Sequence, residues 1–130
     1  MSRLISVFVD SAEQPQEFAA SVEAILGYPL EDKPVPDAPD LLYRFTDHKH
    51  RWFDIYIHRL INDREFNFED YRYQIEIGVF NIPNFSDWTR ALYDFGEELF
   101  GKLKKSNKYN LMMVEDVDRM LGEFSPAHKG

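Results

Sequence analysis

The stretch YRYQIEIGVF, residues 71–80, alternates polar and apolar side chains over most of its length. Because successive side chains of a β-strand point to opposite faces, this alternation predicts a strand with one apolar and one polar face. The apolar face would carry Tyr73, Ile75 and Ile77, and the polar face would carry Arg72, Gln74 and Glu76. Such a strand favours a sheet that buries one face against helices and leaves the other face free.

Two segments upstream repeat the alternation and, with residues 71–80, predict a β-meander. They are LLYRFTD, residues 41–47, and WFDIYIHRLI, residues 52–61, and the polar residues between them suit a hairpin turn. Period two places on the core face Tyr43, Phe45, Phe53, Ile55 and Ile57. The opposite face then carries Arg44, Trp52, Asp54, Tyr56 and His58, next to Arg72, Gln74 and Glu76.

The N-terminal part of the chain predicts a buried strand followed by an amphipathic helix. LISVFVD, residues 4–10, is almost continuously apolar, as expected for a strand covered on both faces. Apolar residues at helical spacing predict a helix over 15–26, with Gly27 at its C-terminal end. Residues 27–40 hold four of the seven prolines and predict a loop, because proline disrupts both helices and central strands.

The C-terminal part predicts a long helix over 87–105 with Ser86 as its N-cap, a short strand over 110–115, and a closing helix in DVDRMLGEF, residues 116–124. The order β-α-β-β-β-α-β-α predicts an α+β fold. We expect a single two-layer domain over residues 1–130. Its sheet would be mixed but mainly antiparallel, with about five strands and the helices on one face.

The composition narrows the classes of function. The chain has 130 residues, a net charge of −8 and no cysteine, so disulfides, thiolate metal sites and cysteine nucleophiles are excluded. The negative charge repels nucleic acid and anionic lipid, and the basic cluster suits the C-terminal end of the long helix; it comprises Lys102, Lys104, Lys105 and Lys108. No apolar run approaches the roughly 18 residues of a membrane span. We expect a cytoplasmic protein without a nucleic-acid or membrane partner.

Two groups of residues are candidates for chemistry. A metal site would draw on Asp47, His48, His50, Asp54 and His58. Polar residues at a hairpin tip explain the histidines more simply, so we predict no metal and no cofactor. Asp54, Glu76 and His58 include acid and base types, but no phosphate-binding loop, nucleophile elbow or HExxH motif accompanies them. We therefore predict no catalytic residue and no enzymatic activity.

The polar face of the meander is the candidate partner-binding surface. It would comprise Trp52, Asp54, Tyr56, His58, Arg72, Gln74 and Glu76. Large aromatics mixed with charges are typical of protein-recognition surfaces and their hot spots. The same composition also suits a sheet face that only meets water. The main alternative to protein binding is a small-ligand or regulatory domain, which a concave pocket with converging polar groups would favour.

Three segments carry a resemblance to a known family. They are LISVFVDSAEQPQEFAASVEAILG, residues 4–27, the aromatic strands WFDIYIH and YRYQIEI, and the closing LMMVEDVDRMLGEF. In this layout the chain resembles the small acidic immunity proteins that bacteria encode beside polymorphic or contact-dependent toxins. The resemblance implies a non-enzymatic protein that binds one toxin in the cytoplasm of the producing cell. The acidic charge suits a basic toxin domain as the partner.

Overall fold

The computed structural model describes residues 4–32, 41–47, 49–57, 71–115 and 119–126. These residues form one seven-stranded sheet and two helices. In chain order the elements are β1 Ile5–Asp10, α1 Pro15–Leu26, β2 Glu31–Asp32, β3 Leu41–Thr46, β4 Arg51–Ile57, β5 Tyr73–Val79, α2 Phe85–Ser106, β6 Asn110–Glu115 and β7 Arg119–Phe124. Neither of the helices in these ranges is long and apolar enough to cross a bilayer.

The first strand of the chain lies inside the sheet. The strand order is β2-β3-β4-β5-β1-β6-β7, so β1 pairs with β5 on one side and with β6 on the other. Residues 5–9 are all buried, which explains why this strand is apolar without alternation. All pairings between the described strands are antiparallel, so the prediction of a mixed sheet is wrong in that detail.

Both helices pack on the same face of the sheet, and the predicted α+β fold is confirmed. The helices contribute to one core cluster the side chains Phe18, Val22, Leu26, Leu92, Phe95, Leu99 and Leu103. The sheet contributes Ile5, Val7, Phe45, Phe53, Ile55, Tyr73, Ile75 and Ile77. The two layers fit closely, since the rings of Phe18 and Tyr73 stack with their centroids 4.0 Å apart. The apolar face predicted for the meander is therefore the core face.

The helices begin and end close to where the sequence placed them. α1 spans Pro15–Leu26 as predicted, and Gly27 adopts a left-handed conformation with φ of 79°. α2 begins at Phe85, and its N-cap is Asn84, not Ser86. The Asn84 side chain accepts a hydrogen bond from the Asp87 amide at 3.1 Å. Both serine and asparagine are good N-caps, so the sequence alone did not separate them.

The predicted closing helix is wrong, because residues 119–124 form β7 against β6. A register shift in this pairing leaves Leu121 as an extra residue, so the apolar side chains follow helical spacing while lying on a bulged strand. Gly122 faces the ring of Phe100 on α2, where a Cβ atom would be crowded. The predicted loop at 27–40 also needs correction, because Glu31–Asp32 forms the short edge strand β2.

Candidate functional site

Strands β4 and β5 bring most of the predicted binding residues together on the face opposite the helices. The strand register pairs Trp52 with Gly78, Asp54 with Glu76, and Tyr56 with Gln74. Directly opposed side chains on one face of an antiparallel pair are close enough to interact. Of this group Asp54 is buried and the other side chains are half-buried. We call the half-buried residues Trp52, Tyr56, Gln74 and Glu76 the β4–β5 surface.

Two predicted members of the binding surface do not belong to this group. Arg72 is exposed, donates a hydrogen bond to the Glu13 carbonyl oxygen at 3.2 Å, and lies 5.4 Å from the centre of the Tyr73 ring. Its guanidinium therefore reaches the connection between β1 and α1. His58 lies outside the described residues.

An ion pair with Arg44 on β3 holds Asp54 in place. The Nε and Nη2 groups of Arg44 donate to the two carboxylate oxygens at 2.7 and 2.8 Å, and the Tyr56 hydroxyl lies 3.4 Å from Oδ2. The bonds to Asp54 raise the pKa of Arg44. A bidentate pair of this kind offsets the burial of a carboxylate that is only 3% exposed. Because both oxygens are occupied, Asp54 is poorly suited to act as a general base or a metal ligand.

The indole of Trp52 lies directly against Gly78 of β5. A Cβ atom at Gly78 would overlap the indole atoms Cζ2, Cε2 and Nε1. Any side chain larger than hydrogen would therefore displace the ring, and the glycine within YQIEIGV makes room for the tryptophan. This pairing was not predicted from the sequence, although a glycine inside a strand is a signal of such close approach. Trp52 as a whole is half-buried.

Glu76 makes no hydrogen bond or ion pair with any residue in the described ranges. Its cross-strand partner is Asp54, another carboxylate. Burial raises the pKa of Glu76, and the charge of Asp54 raises it further. Burial, followed by the charges of Glu76 and Asp54, raises the pKa of Tyr56 to about 12. When ionised, Glu76 adds a negative charge that no described side chain neutralises.

A pocket of about 300 Å³ adjoins the β4–β5 surface. It is lined by Arg44, Thr46, Trp52, Asp54 and Phe80. Its wall combines two aromatic rings with an ion pair whose charges already compensate each other. The volume is at the lower end of the range for small-molecule sites.

The face opposite the helices is covered on its other half. Phe8 on β1 and Met112 and Val114 on β6 form a second apolar cluster, with 0%, 3% and 0% of their surfaces exposed. The burial of Phe8 agrees with the prediction that β1 is covered on both faces, whereas within the predicted open face of the meander the expectation of exposure is wrong for the buried Asp54. Apart from the exposed Arg72, the accessible described residues of the predicted surface are those of the β4–β5 surface, which the pocket adjoins.

Glu13 joins three parts of the chain, and no local pattern in the sequence predicted this role. Its carboxylate accepts hydrogen bonds from the hydroxyls of Ser11 at 3.0 Å, Ser21 at 2.6 Å and Tyr109 at 2.5 Å, and from Lys108 Nζ at 3.2 Å. Burial acts to raise the pKa of Glu13, but these hydrogen bonds outweigh it and lower the pKa to about 2. The carboxylate is therefore fully engaged in joining the β1–α1 connection to α1 and to Lys108 and Tyr109, which directly precede β6.

A second pocket, of about 390 Å³, lies next to this carboxylate. Its lining includes Asp10, Ser11, Ala12, Glu13, Glu17, Lys108 and Tyr109. Glu13 and Lys108 already bond to each other, so their charges are not free for a ligand. We interpret these polar groups as structural.

The residues proposed for a metal site are engaged elsewhere or lie outside the described ranges. Asp47 accepts from Nη2 of Arg51 at 2.7 Å, and the ring of exposed His50 lies edge-on to that of Phe80. His48, like His58, falls outside those ranges. Among the described residues no three His, Cys, Asp or Glu side chains are grouped to hold a metal ion.

The lysine cluster near the end of α2 makes contacts within the protein. Lys102 donates to the Leu26 carbonyl oxygen at 2.9 Å and so caps the last turn of α1. The Nζ atom of Lys104 lies 5.0 Å from the centre of the Phe100 ring. These contacts agree with the interpretation of the cluster as part of the helix end.

Taken by its chemistry, the β4–β5 surface is suited to binding. It presents the indole of Trp52, the phenol of Tyr56 and the carboxylate of Glu76, which has no partner among the described residues, while the Gln74 amide donates to Ser6 Oγ at 3.0 Å. The adjacent candidate base, Asp54, is occupied by Arg44. Comparison of the chain with models of protein families, with curated proteins and with solved structures gives no match in any of the three.

Proposed function

We propose that this protein is a non-enzymatic protein-binding module that uses the β4–β5 surface, and that it neutralises a toxin as an immunity protein. One observation carries the proposal: two half-buried aromatics, Trp52 and Tyr56, lie beside Glu76, which has no partner in the described part of the chain, on a face that neither helix covers. Tryptophan and tyrosine dominate the binding energy of many protein interfaces, because they bury much surface for few rotatable bonds.

The charge of the chain supports a basic partner. The net charge of the chain is −8. The positive charge of Arg44 is neutralised by Asp54, so it does not offset the negative charge of Glu76 on the β4–β5 surface. Opposite charge speeds association and excludes acidic competitors. A basic toxin domain in the cytoplasm of a bacterial producer is therefore the partner that we propose, in line with the family that the layout resembles.

The first test is genetic. The reading frame directly upstream of the gene should encode a large protein with a variable C-terminal domain, and that domain should arrest growth when it is expressed alone. Co-expression of this chain should restore growth. An upstream operon of metabolic enzymes, or a toxic domain that this chain does not neutralise, would contradict the immunity assignment.

The second test measures the interface. Trp52→Ala and Tyr56→Ala should each weaken binding of the partner by about 2 kcal/mol in calorimetry, the range of aromatic hot spots. Phe85→Ala is the matched control, because Phe85 is 56% exposed at the start of α2. It should leave the affinity within about 0.5 kcal/mol of the wild type, as for most residues outside a hot spot. Wild-type affinity in both Trp52→Ala and Tyr56→Ala would remove the β4–β5 surface from the interface.

A small-ligand or regulatory domain is the second candidate function, favoured by the pocket of about 300 Å³ beside Trp52. In that case a low-molecular-weight compound from a host extract should shift the melting temperature of the wild type. Thr46→Trp, which would fill the pocket, should abolish the shift. Under the first proposal the same extract, freed of protein, should give no shift.

A further inference from the structure

We propose that Trp52 and Glu76 together receive an arginine side chain of the protein partner, with the guanidinium between the indole and the carboxylate. This inference rests on the proposed protein-binding function and names the chemistry of the partner at that surface. It follows from the position of the two residues, from the pairing state of the carboxylates around them, and from the charge of the chain.

The position of the two residues suits one long side chain. Trp52 lies against Gly78, and Glu76 precedes Gly78 by two residues on the same strand and the same face. Side chains in such diagonal positions are about 7–8 Å apart at their backbones, which lets one inserted group touch both. Because Gly78 has no side chain, nothing on β5 separates the indole from Glu76.

Of the two neighbouring carboxylates, Glu76 is the one that can accept hydrogen bonds from the incoming guanidinium. Asp54 already accepts two hydrogen bonds from Arg44, whereas Glu76 has no hydrogen-bonding partner among the described residues. A half-buried carboxylate opposite another carboxylate destabilises a sheet, and an incoming cation would relieve that repulsion. The raised pKa of Glu76 has the same origin, since it reflects burial and the charge of Asp54.

The chemistry of the surface favours arginine over lysine. A guanidinium is planar, stacks on an indole face, and donates two parallel hydrogen bonds to a carboxylate. It is also less strongly hydrated than an ammonium group, which matters at a half-buried site. The net charge of −8 would draw a basic partner surface to this face before the contact forms.

The test uses N-acetylargininamide as the probe and its citrulline counterpart as the uncharged control of the same shape. Both would be titrated into ¹⁵N- and ¹³C-labelled wild-type protein, with NMR signals of the Trp52 indole N–H and the Glu76 carboxylate followed. The arginine probe should shift both signals, and the citrulline probe should bind about tenfold more weakly. Equal binding of the two probes, or shifts confined to other residues, would overturn the inference.

Variants assign the contact to its two residues. Glu76→Gln should weaken the arginine probe about tenfold, and Trp52→Leu about threefold. Glu97→Gln is the matched control, because Glu97 is exposed on α2 and the substitution removes the same net charge. Equal losses in Glu76→Gln and Glu97→Gln would reduce the effect to overall charge and would overturn the inference.

Binding of the recovered protein partner to the variants distinguishes failure of the arginine inference from failure of the proposed protein-binding function. If Trp52→Ala loses that partner while Glu76→Gln binds it as tightly as the wild type, the protein-binding function stands and the arginine inference fails. If both variants bind like the wild type, both proposals fail. Loss of binding in both, with loss of the arginine preference, supports both.

Discussion

Two carboxylates of this protein, Glu13 and Glu76, have opposite surroundings. Glu13 accepts hydrogen bonds from four side chains, and its pKa is lowered to about 2. Glu76 faces another carboxylate across the strand pair, has no hydrogen-bonding partner in the described structure, and has a raised pKa. Burial acts to raise the pKa in both cases, so the difference comes from the donors that the fold supplies.

The difference separates a structural carboxylate from one that is available to a partner. The donors of Glu13 come from the β1–α1 connection, from α1 and from the two residues before β6, so this acid joins distant parts of the chain. Glu76 stabilises nothing that the structure describes, and its charge opposes that of Asp54. A residue that lowers stability and touches the accessible surface is a candidate for function.

The largest expected effect is the loss of the Glu13 network. Glu13→Gln keeps the size of the side chain but removes the charge that Lys108 and the hydroxyls of Ser21 and Tyr109 bind, so unfolding free energy should fall by about 3 kcal/mol. Urea denaturation at pH 7 would measure it. The control is Glu97→Gln on the exposed face of α2, which should stay within about 0.5 kcal/mol. Equal changes in unfolding free energy for Glu13→Gln and Glu97→Gln would show that the Glu13 network does not stabilise the fold.

The same network predicts how stability changes in acid. The pKa of Glu13 is lower in the folded state than in the unfolded chain, so its contribution is present at neutral pH and is lost as the pH falls from about 4.5 toward about 2. The stability difference between wild type and Glu13→Gln should therefore shrink over that range. Urea midpoints of both proteins at pH 7, 4.5 and 2.5 would measure it, and a difference that stays constant would contradict the assignment.

A smaller effect is expected where Trp52 lies against Gly78. Gly78→Ala should lower the unfolding free energy by about 2 kcal/mol, because the new methyl group overlaps the indole and the ring must move. The penalty should be smaller in a Trp52→Leu background, which removes the obstruction. A double-mutant cycle in urea would compare the two backgrounds, and equal penalties would show that the ring is not the obstacle.

The smallest expected effect has the opposite sign. Glu76→Gln should raise the unfolding free energy at pH 7 by about 0.5 kcal/mol, because it removes a like-charge pair across the strands. A raised folded-state pKa means that the wild type loses stability as the pH rises through and beyond the usual glutamate pKa, so the gain in the variant should grow from pH 4 to pH 7. A variant that is less stable than wild type at pH 7 would show that Glu76 has a structural partner.

Alternation and helical spacing in the sequence were enough to predict which face of a strand or helix is buried. The alternation around Ile75 and Glu76 assigned the faces of β5, because burial against helices requires apolar residues at every second position. The hydrogen bond between Glu13 and Tyr109 could not be predicted from the sequence, because the two residues are far apart in the chain and no local pattern pairs them. The burial of Phe8 was predictable, because a strand without alternation is apolar on both faces and must be covered on both.

The central position of β1 has a consequence for synthesis of the chain. β1 is made before both of its partner strands, because Val7 pairs with Ile75 on one side and with Met113 on the other. Pairings between such distant segments slow folding, and the β3–β4–β5 meander can form before them. Until β6 has left the ribosome, an apolar strand is therefore present with at least one edge open to pairing with other chains. We expect the nascent chain to require protection of β1 by a chaperone, and aggregation of the newly made protein to begin at β1.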